Sequence, residues 1–255
     1  MKERFAKAIE SIKAAVLADG RVDLGETAVM LRLVRPYAAA GIAKAIELEQ
    51  MIRKVREDGV ITREESAMLT EMLENMGGNG PLLLEQYVRT IPDFPKPGVM
   101  FRDVTGIVDN AEGFNLALHL MHKALHETRV DMVVAPESRG FIFGAALAGR
   151  LGLAFAPIRK PGKLPRATIS EDYELEYGKA TLEMHSDAVI RGERVVFVDD
   201  LLATGGTAAA GARLVERMGG KVVKMLFPIE LEGFGARQKA LAGYDVFSLI
   251  KYPGK

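Results

Sequence analysis

The residues with the most chemical content lie in one run, Val195-Val196-Phe197-Val198-Asp199-Asp200-Leu201-Leu202-Ala203-Thr204-Gly205-Gly206-Thr207. An apolar strand there ends in two acids, and a glycine-rich turn opens a helix. Ligands of open α/β sheets collect at the carboxyl ends of strands. The adjacent carboxylates of Asp199 and Asp200 can accept hydrogen bonds from a vicinal diol. The backbone amides of Thr204, Gly205, Gly206 and Thr207, with Ala203 just before them, suit a phosphate dianion at a helix N-terminus. A diol beside a phosphate describes a ribose 5-phosphate. The bland alternative is a strand-end turn with solvated acids. A Walker loop is excluded, because no Gly-Lys-Ser/Thr follows the glycines.

The elements that must position this run read as α/β. Short β-branched and apolar stretches begin at Asp131 (DMVVA), Leu153 (LAFAPI), Arg194 (RVVFVDD) and Lys221 (KVVKMLFPI), and helical stretches cover Ala111 to Thr128, Gly140 to Leu151 and Gly206 to Met218. Continuous apolar strands alternating with helices predict a parallel sheet covered on both faces. From Phe5 to Met76 the pattern is different, with apolar residues three and four apart and no competing strand signal. The cluster Gly77 to Pro81 breaks the chain between the two patterns. The expected organisation is a small all-helical accessory domain over residues 1–78 and a catalytic α/β domain over residues 79–255. Every chemical motif falls in the second, so the first is expected to be dispensable for the reaction.

At 255 residues with 48% hydrophobic and 27% charged residues, the chain can build packed cores without staples. It contains no cysteine, which removes disulfides, thiolate metal sites and a cysteine nucleophile, and which fits a cytoplasmic location. Lysine plus arginine equals aspartate plus glutamate at 34 each. No general attraction to nucleic acid or an anionic membrane follows, and any phosphate binding must be local. No uncharged apolar run of about 18 residues suggests a membrane span.

Within residues 1–78, Asp19-Gly20-Arg21-Val22-Asp23-Leu24-Gly25-Glu26 and Asp58-Gly59-Val60-Ile61-Thr62-Arg63-Glu64-Glu65 share the pattern D-G-x-[VI]-x-x-x-E. Each predicts a turn at glycine followed by a helix capped by Asp23 or Thr62. Calcium binding is set aside, because Ala15, Leu17, Lys54 and Arg56 stand where an EF-hand needs oxygen ligands. The duplicated corner is similar to those of tellurite-resistance B-like helical domains.

The Asp199 to Thr207 run resembles the diphosphate-sugar motif of the type I phosphoribosyltransferases. Further stretches narrow the resemblance to the adenine phosphoribosyltransferases, in that family's order: Pro95-Lys96-Pro97-Gly98-Val99-Met100-Phe101-Arg102-Asp103-Val104-Thr105, Glu137-Ser138-Arg139-Gly140-Phe141, Arg159-Lys160-Pro161-Gly162-Lys163-Leu164-Pro165 and Leu175-Glu176-Tyr177-Gly178. The resemblance covers residues 86 to 253 and implies a type I phosphoribosyltransferase fold with a central parallel sheet. It implies that adenine and phosphoribosyl diphosphate are the substrates and that AMP and diphosphate are the products.

The resemblance also implies roles. Phe101 would stack on adenine with Leu201 on the other side, while the main chain at Met100 and Arg102 reads the base edge. Arg139, with the amides of Glu137 and Ser138, would bind pyrophosphate, on a turn that in the family carries a cis peptide between these two residues. Arg159, Lys160 and Lys163 would join it from a lid between Arg159 and Gly178, the first across a homodimer interface. Glu176 would manage the N7 proton of adenine. Mg²⁺ would be held mainly by substrate and water, with no protein metal site. One departure is Ala135-Pro136, where the family often has glycine two positions before the acid; a slightly different strand exit is expected.

His119, His122 and His126 share helical spacing, but no acid accompanies them in sequence, and a solvated or partly packed face is expected rather than a metal site. Ser138 lacks the glycine two residues earlier that a hydrolase elbow needs. A rival reading is a purine-responsive regulator with an N-terminal DNA-binding module. Residues 1–80 hold 12 basic and 13 acidic residues, too balanced for phosphate neutralisation. A second rival keeps the reaction and changes the base to a 6-oxopurine.

Overall fold

The computed structural model describes Arg4, Phe5, Ala8, Ile9, Ile12, Lys13, residues 22–74, Met76, residues 83–175 and residues 178–254. Glu176, Tyr177, the Asp19-Gly20-Arg21 part of the first duplicated corner and the Gly77–Pro81 segment lie outside the described residues. Among the described residues, no helix is long and apolar enough to cross a membrane.

Helices α1 (Leu24–Ala39), α2 (Ala43–Val55) and α3 (Arg63–Glu74) follow the apolar spacing expected of them. Met30, Leu33, Leu48, Ile52, Leu69 and Leu73 are buried along it. Both duplicated corners close with the same reciprocal cap. The Asp23 carboxylate accepts from the Glu26 amide at 2.7 Å, and the Glu26 carboxylate accepts from the Asp23 amide at 2.9 Å. In the second corner the Thr62 hydroxyl accepts from the Glu65 amide at 3.2 Å, and the Glu65 carboxylate accepts from the Thr62 amide at 2.9 Å. Each box satisfies two amides that a helix start leaves without an internal partner. The corners are also joined to one another, since the Val22 amide donates to Ser66 Oγ at 2.7 Å.

The chain forms two compact units, and they do not divide where the glycine cluster suggests. One is Met1–Arg89 together with Thr105–His119; the other is Thr90–Val104 together with Leu120–Lys255. The first therefore takes in α4 (Thr105–Val108) and most of α5 (Ala111–Lys123). A side-chain pairing accompanies this: buried His119 on α5 has its Nε2 3.8 Å from the carboxylate of buried Glu26 on α1. His119 is thus packed beside an acid far away in sequence. His122 is exposed, and α5 stops at Lys123, so His126 is exposed beyond its end. Among the described residues no group of three His, Asp or Glu side chains could hold a metal.

In the other unit a sheet of parallel strands runs in the order β10 (Val246–Tyr252), β9 (Lys221–Leu231), β7 (Arg194–Val198), β3 (Met132–Pro136), β4 (Ala154–Ile158), with the short β8 (Leu201–Leu202) also beside β9. Strand β3 is buried at every position and β7 at every position but its first, as strands covered on both faces must be. From β3 the chain passes through α6 (Arg139–Leu151) to β4 on one side, and from β7 through α7 (Gly206–Arg217) to β9 on the other. The crevice between the carboxyl ends of β3 and β7 is therefore the switch point of the sheet, where ligands of this architecture bind. Outside the sheet, β1 (Arg89–Pro92) pairs with β2 (Met100–Asp103), and β5 (Thr168–Leu175) with β6 (Gly178–His185) as an antiparallel hairpin. Half of the stretch expected as a lid loop is thus strand.

Loss of either cap tests the helical corners. Asp23→Ala and Thr62→Ala should each lower stability by about 1 kcal/mol, within the roughly 0.5–2 kcal/mol range of N-cap removals. Denaturant melts followed by circular dichroism measure this, and unchanged midpoints would remove the caps from the account.

Candidate active site

Two turns face each other across the switch-point crevice. After β3 the peptide between Glu137 and Ser138 is cis, and α6 begins at Arg139. The family-specific glycine is absent at Ala135, and the room for that side chain comes from α6: a Cβ on Gly144 would stand 2.7 Å from the Ala135 Cβ. After β7 come Asp199, Asp200, β8 and the loop to α7. Gly205, at φ 84°, turns the chain into α7, and no side chain caps that helix. Its first-turn amides are thereby left to an anion. They border a cavity of about 90 Å³ lined by Asp199, residues 201–208 and Phe227, several times the roughly 10–15 Å³ that one water needs.

The turns meet at the acid pair. Arg139 Nε lies 2.7 Å from the Asp200 carboxylate. Gly140 is close enough that an added Cβ would stand 2.8 Å from Asp199 Oδ1, so the turn can approach only because that residue is glycine. Burial, then the neighbouring Asp200 charge, push the Asp199 carboxyl well above the usual carboxylate range, against opposing effects from the Asp200 amide and Arg139. The same guanidinium stands 5.9 Å over the Phe101 ring, and Phe94 braces that ring edge-on at 5.0 Å. The aromatic face, the arginine and the acid pair expected from the sequence are therefore neighbours.

The remaining expected residues divide. Glu137 turns its carboxylate away from anion binding and holds the next strand's exit, accepting from Arg159 Nε at 3.0 Å and the Lys160 amide at 2.6 Å. The Arg159 hydrogen bond is the main reason the Glu137 carboxyl lies below its usual range. Lys160 and Lys163 are exposed, as is Met100. The Arg102 side chain donates to the Thr90 hydroxyl and lies 4.0 Å over the Tyr252 ring. Leu201 lines the cavity beside the acid pair. Glu176 lies outside the described residues, which here are β5 up to Leu175 and β6 from Gly178.

One neighbour of the site went unnoticed in the sequence. Tyr173 on β5 brings its hydroxyl to 3.5 Å from Thr207 Oγ1, joining the hairpin to the start of α7, and Glu171 on the same strand pairs with Arg213 at 2.5 Å and with Arg217 at 3.1 Å. Only its place two residues before the Leu175-Glu176 motif could have drawn attention to Tyr173.

A phosphoribosyl transferase domain model matches residues 104–247, more than half of the chain. An adenine phosphoribosyltransferase of Caldanaerobacter subterraneus subsp. tengcongensis is 54% identical over 169 residues, which are 66% of this chain and 97% of that protein. The crystal structure of the adenine phosphoribosyltransferase of Thermoanaerobacter pseudethanolicus is similar with a TM-score of 0.64 at 53% identity, over 66% of this chain and 98% of that one. The Saccharomyces cerevisiae adenine phosphoribosyltransferase, solved with adenine and an imino-altritol bisphosphate, gives a TM-score of 0.61 at 37% identity, over 65% and 95%. The chain belongs to the adenine phosphoribosyltransferases. It is accordingly a pentosyltransferase with the type I fold.

Because the folded-state value of Asp199 is raised, the fold favours the protonated carboxyl. The stability that Asp199 contributes is fully present below the ordinary aspartate range, roughly pH 4, and is lost as pH rises through the raised value. Asp199→Asn should therefore raise the Tm of the substrate-free protein at neutral and alkaline pH, with the gain disappearing as pH is lowered, while sugar-diphosphate binding weakens. Thermal melts across pH give the first result and calorimetry the second; a gain independent of pH would contradict the buried-charge account.

Proposed function

We propose that the crevice transfers the phosphoribosyl group of phosphoribosyl diphosphate to adenine, yielding AMP and diphosphate for purine salvage. The observation that carries the residue assignment is the convergence of Phe101, Arg139, the acid pair and the uncapped start of α7 on one crevice. The 5-phosphate sits on the amides from Ala203 to Thr207, and Asp199 and Asp200 accept from the ribose diol. Adenine stacks on Phe101, opposite Leu201, with the main chain at Met100 and Arg102 reading its edge. Arg139 and the Glu137–Ser138 amides receive the departing diphosphate, whose growing charge needs preorganised cations and dipoles. Arg159, Lys160 and Lys163 lie on the segment leading into the β5–β6 hairpin and add positive charge. Arg139 stands 2.7 Å from the Asp200 carboxylate, and the diphosphate offers it a more highly charged partner.

The donors present suit Mg²⁺ brought in on the diphosphate. Asp199 and Asp200 are hard carboxylates that would hold the sugar hydroxyls beside the ion, which would itself be held mainly by substrate oxygens and water. When bound, Mg²⁺ supplies neutralising charge at the diphosphate. Glu176, in the sequence between β5 and β6, holds the N7 proton of adenine, and the β5–β6 hairpin excludes water from the electron-poor sugar carbon. The protein works as a cytoplasmic homodimer, a reading supported by its lack of cysteine and by the family's use of the Arg159 position across a subunit interface.

Residues 1–78 form an accessory portion and residues 79–255 carry the chemistry. The support is that about two thirds of this chain matches nearly the whole length of relatives named for the same reaction.

Turnover of each purine base with phosphoribosyl diphosphate tests the reading. Adenine should give AMP with a kcat/KM at least about 10²-fold above guanine or hypoxanthine, as expected where mismatched polar groups would be left unpaired, and chelation of Mg²⁺ should abolish turnover. A 6-oxopurine that outpaces adenine overturns it. A chain starting at Pro81 should keep kcat and KM for adenine within a few fold, while its Tm falls through loss of Glu26 beside buried His119. A shortened chain that is folded by circular dichroism yet inactive at every concentration would place the helical portion in the site.

A further inference from the structure

The phosphate loop has a floor and a root, and one ion pair is attached to both. A Cβ built on Gly205 would stand 3.2 Å from the Ala236 Cβ, the Ala240 Cβ and the Leu241 Cγ. The loop backbone therefore lies directly on the segment from Ala236 to Leu241, which follows β9. That segment has little regular structure of its own, a single 3-10 turn at Ala236–Gln238 and a hydrogen bond from the Leu241 amide to the Ala236 carbonyl at 2.9 Å. Ala236 and Leu241 anchor it in the core, and Arg237 stands between them. Arg237 Nε donates to Glu230 Oε1 at 2.8 Å, and its terminal nitrogens donate to Glu230 Oε2 at 2.7 Å, to the Val246 carbonyl and to Ser248 Oγ at 3.2 Å. The fork thereby ties the floor to β9 and β10 at once.

Glu230 is also where the loop is rooted. It is buried on β9 at the residue paired with Leu202 of β8, from which the chain enters the Ala203–Thr207 loop. Burial pushes the Glu230 carboxyl up, but hydrogen bonds from Arg237 and Ser248 and the Arg237 charge outweigh it and hold the group ionised below its usual range. A part-buried, two-point Arg–carboxylate contact fixes direction as well as distance, which a lysine point charge does not.

We propose that Arg237, paired with Glu230, is a positioning residue for the 5-phosphate, holding the Ala236–Leu241 floor against Gly205 so that the amides of the loop keep the spacing a phosphate requires. Arg237 does not itself touch substrate. The proposal rests on reading the Ala203–Thr207 loop as the phosphate site. Its signature is selective: loosening the floor shifts the amides that grip the phosphate and leaves the Phe101 base face and the Arg139 turn in place.

The test uses the full-length protein, with ribose 5-phosphate binding by calorimetry and steady-state kinetics for both substrates. A misplacement of about 1 Å can cost around 10²-fold, so partial loosening in Arg237→Met should weaken ribose 5-phosphate binding and raise KM for phosphoribosyl diphosphate about tenfold. KM for adenine, and kcat at saturating phosphoribosyl diphosphate, should stay within about twofold on the same argument. Arg237→Lys should fall between Arg237→Met and the natural protein. Leu241→Ala, which thins the floor without touching the ion pair, should show the same split and carries the test if Arg237→Met does not fold. A lowered Tm with both KM values unmoved, or a uniform loss of kcat, would make the pair a stability element only and overturn the proposal. Thr204→Glu, which sets a carboxylate among the loop's amides at an exposed position and leaves the floor untouched, separates the two readings. If it leaves ribose 5-phosphate affinity unchanged, the phosphate assignment falls and this proposal with it. If it weakens binding while Arg237→Met and Leu241→Ala do not, the positioning role alone is refuted.

Discussion

Two adjacent carboxylates at the end of a buried strand repel one another and lose hydration, and the arrangement of the site follows from how that charge is held. A buried charge is tolerated when it is paired. Here the pairing comes from the neighbouring turn, with Arg139 at 2.7 Å from Asp200, while Asp199 is pushed toward its neutral form. The pairing is possible because β3 and β7 are hydrogen-bonded neighbours whose following helices depart in opposite directions. An acid pair at the end of a strand elsewhere in the sheet would have no arginine turn beside it.

Close backbone approach is the second requirement. Gly140 lets the arginine turn come up to Asp199, and Gly144 leaves room for Ala135 beneath α6. Gly211 lets α7 sit down on Phe197, since a Cβ there would stand 2.5 Å from that ring. With Ala208, Ala209, Ala210 and Ala212 also buried on α7, the helix lies low over the sheet and presents its N-terminus to the crevice. Small residues on these helices thus set where charged groups at the sheet's edge can meet, and packing and catalysis share the same positions.

The helical portion is less separate than its composition suggests. Its own caps and buried apolar residues make it a coherent set of helices, yet the first compact unit also takes in Thr105–His119 from the stretch that matches the phosphoribosyl transferase domain. Glu26 serves twice, closing the cap of α1 and standing beside His119. A change at Glu26 therefore reaches both the start of α1 and the surroundings of buried His119.

Periodicity and chain-breaking residues in the amino-acid sequence were enough for the α/β class, the helical N-terminal region and the strands at β3, β4, β7 and β9, because a strand buried on both faces has little choice but to be continuously apolar. The strand that ends before Asp199 and the helix that starts at Gly206 were legible for a similar reason, since an apolar run that gives way to acids and glycines marks a strand end and a helix start. The hairpin β5–β6 was not, since its alternation is interrupted by charges that pair with Arg213 and Arg217 on α7. Nor was the burial of His119, whose neighbouring acid is remote in sequence. The position of Arg139 against Asp200 and Phe101, and of Arg237 beneath the phosphate loop, belonged to the tertiary structure alone. Local sequence determines what a residue can bind, but only strand order and helix packing decide which distant residues arrive within a hydrogen bond of it.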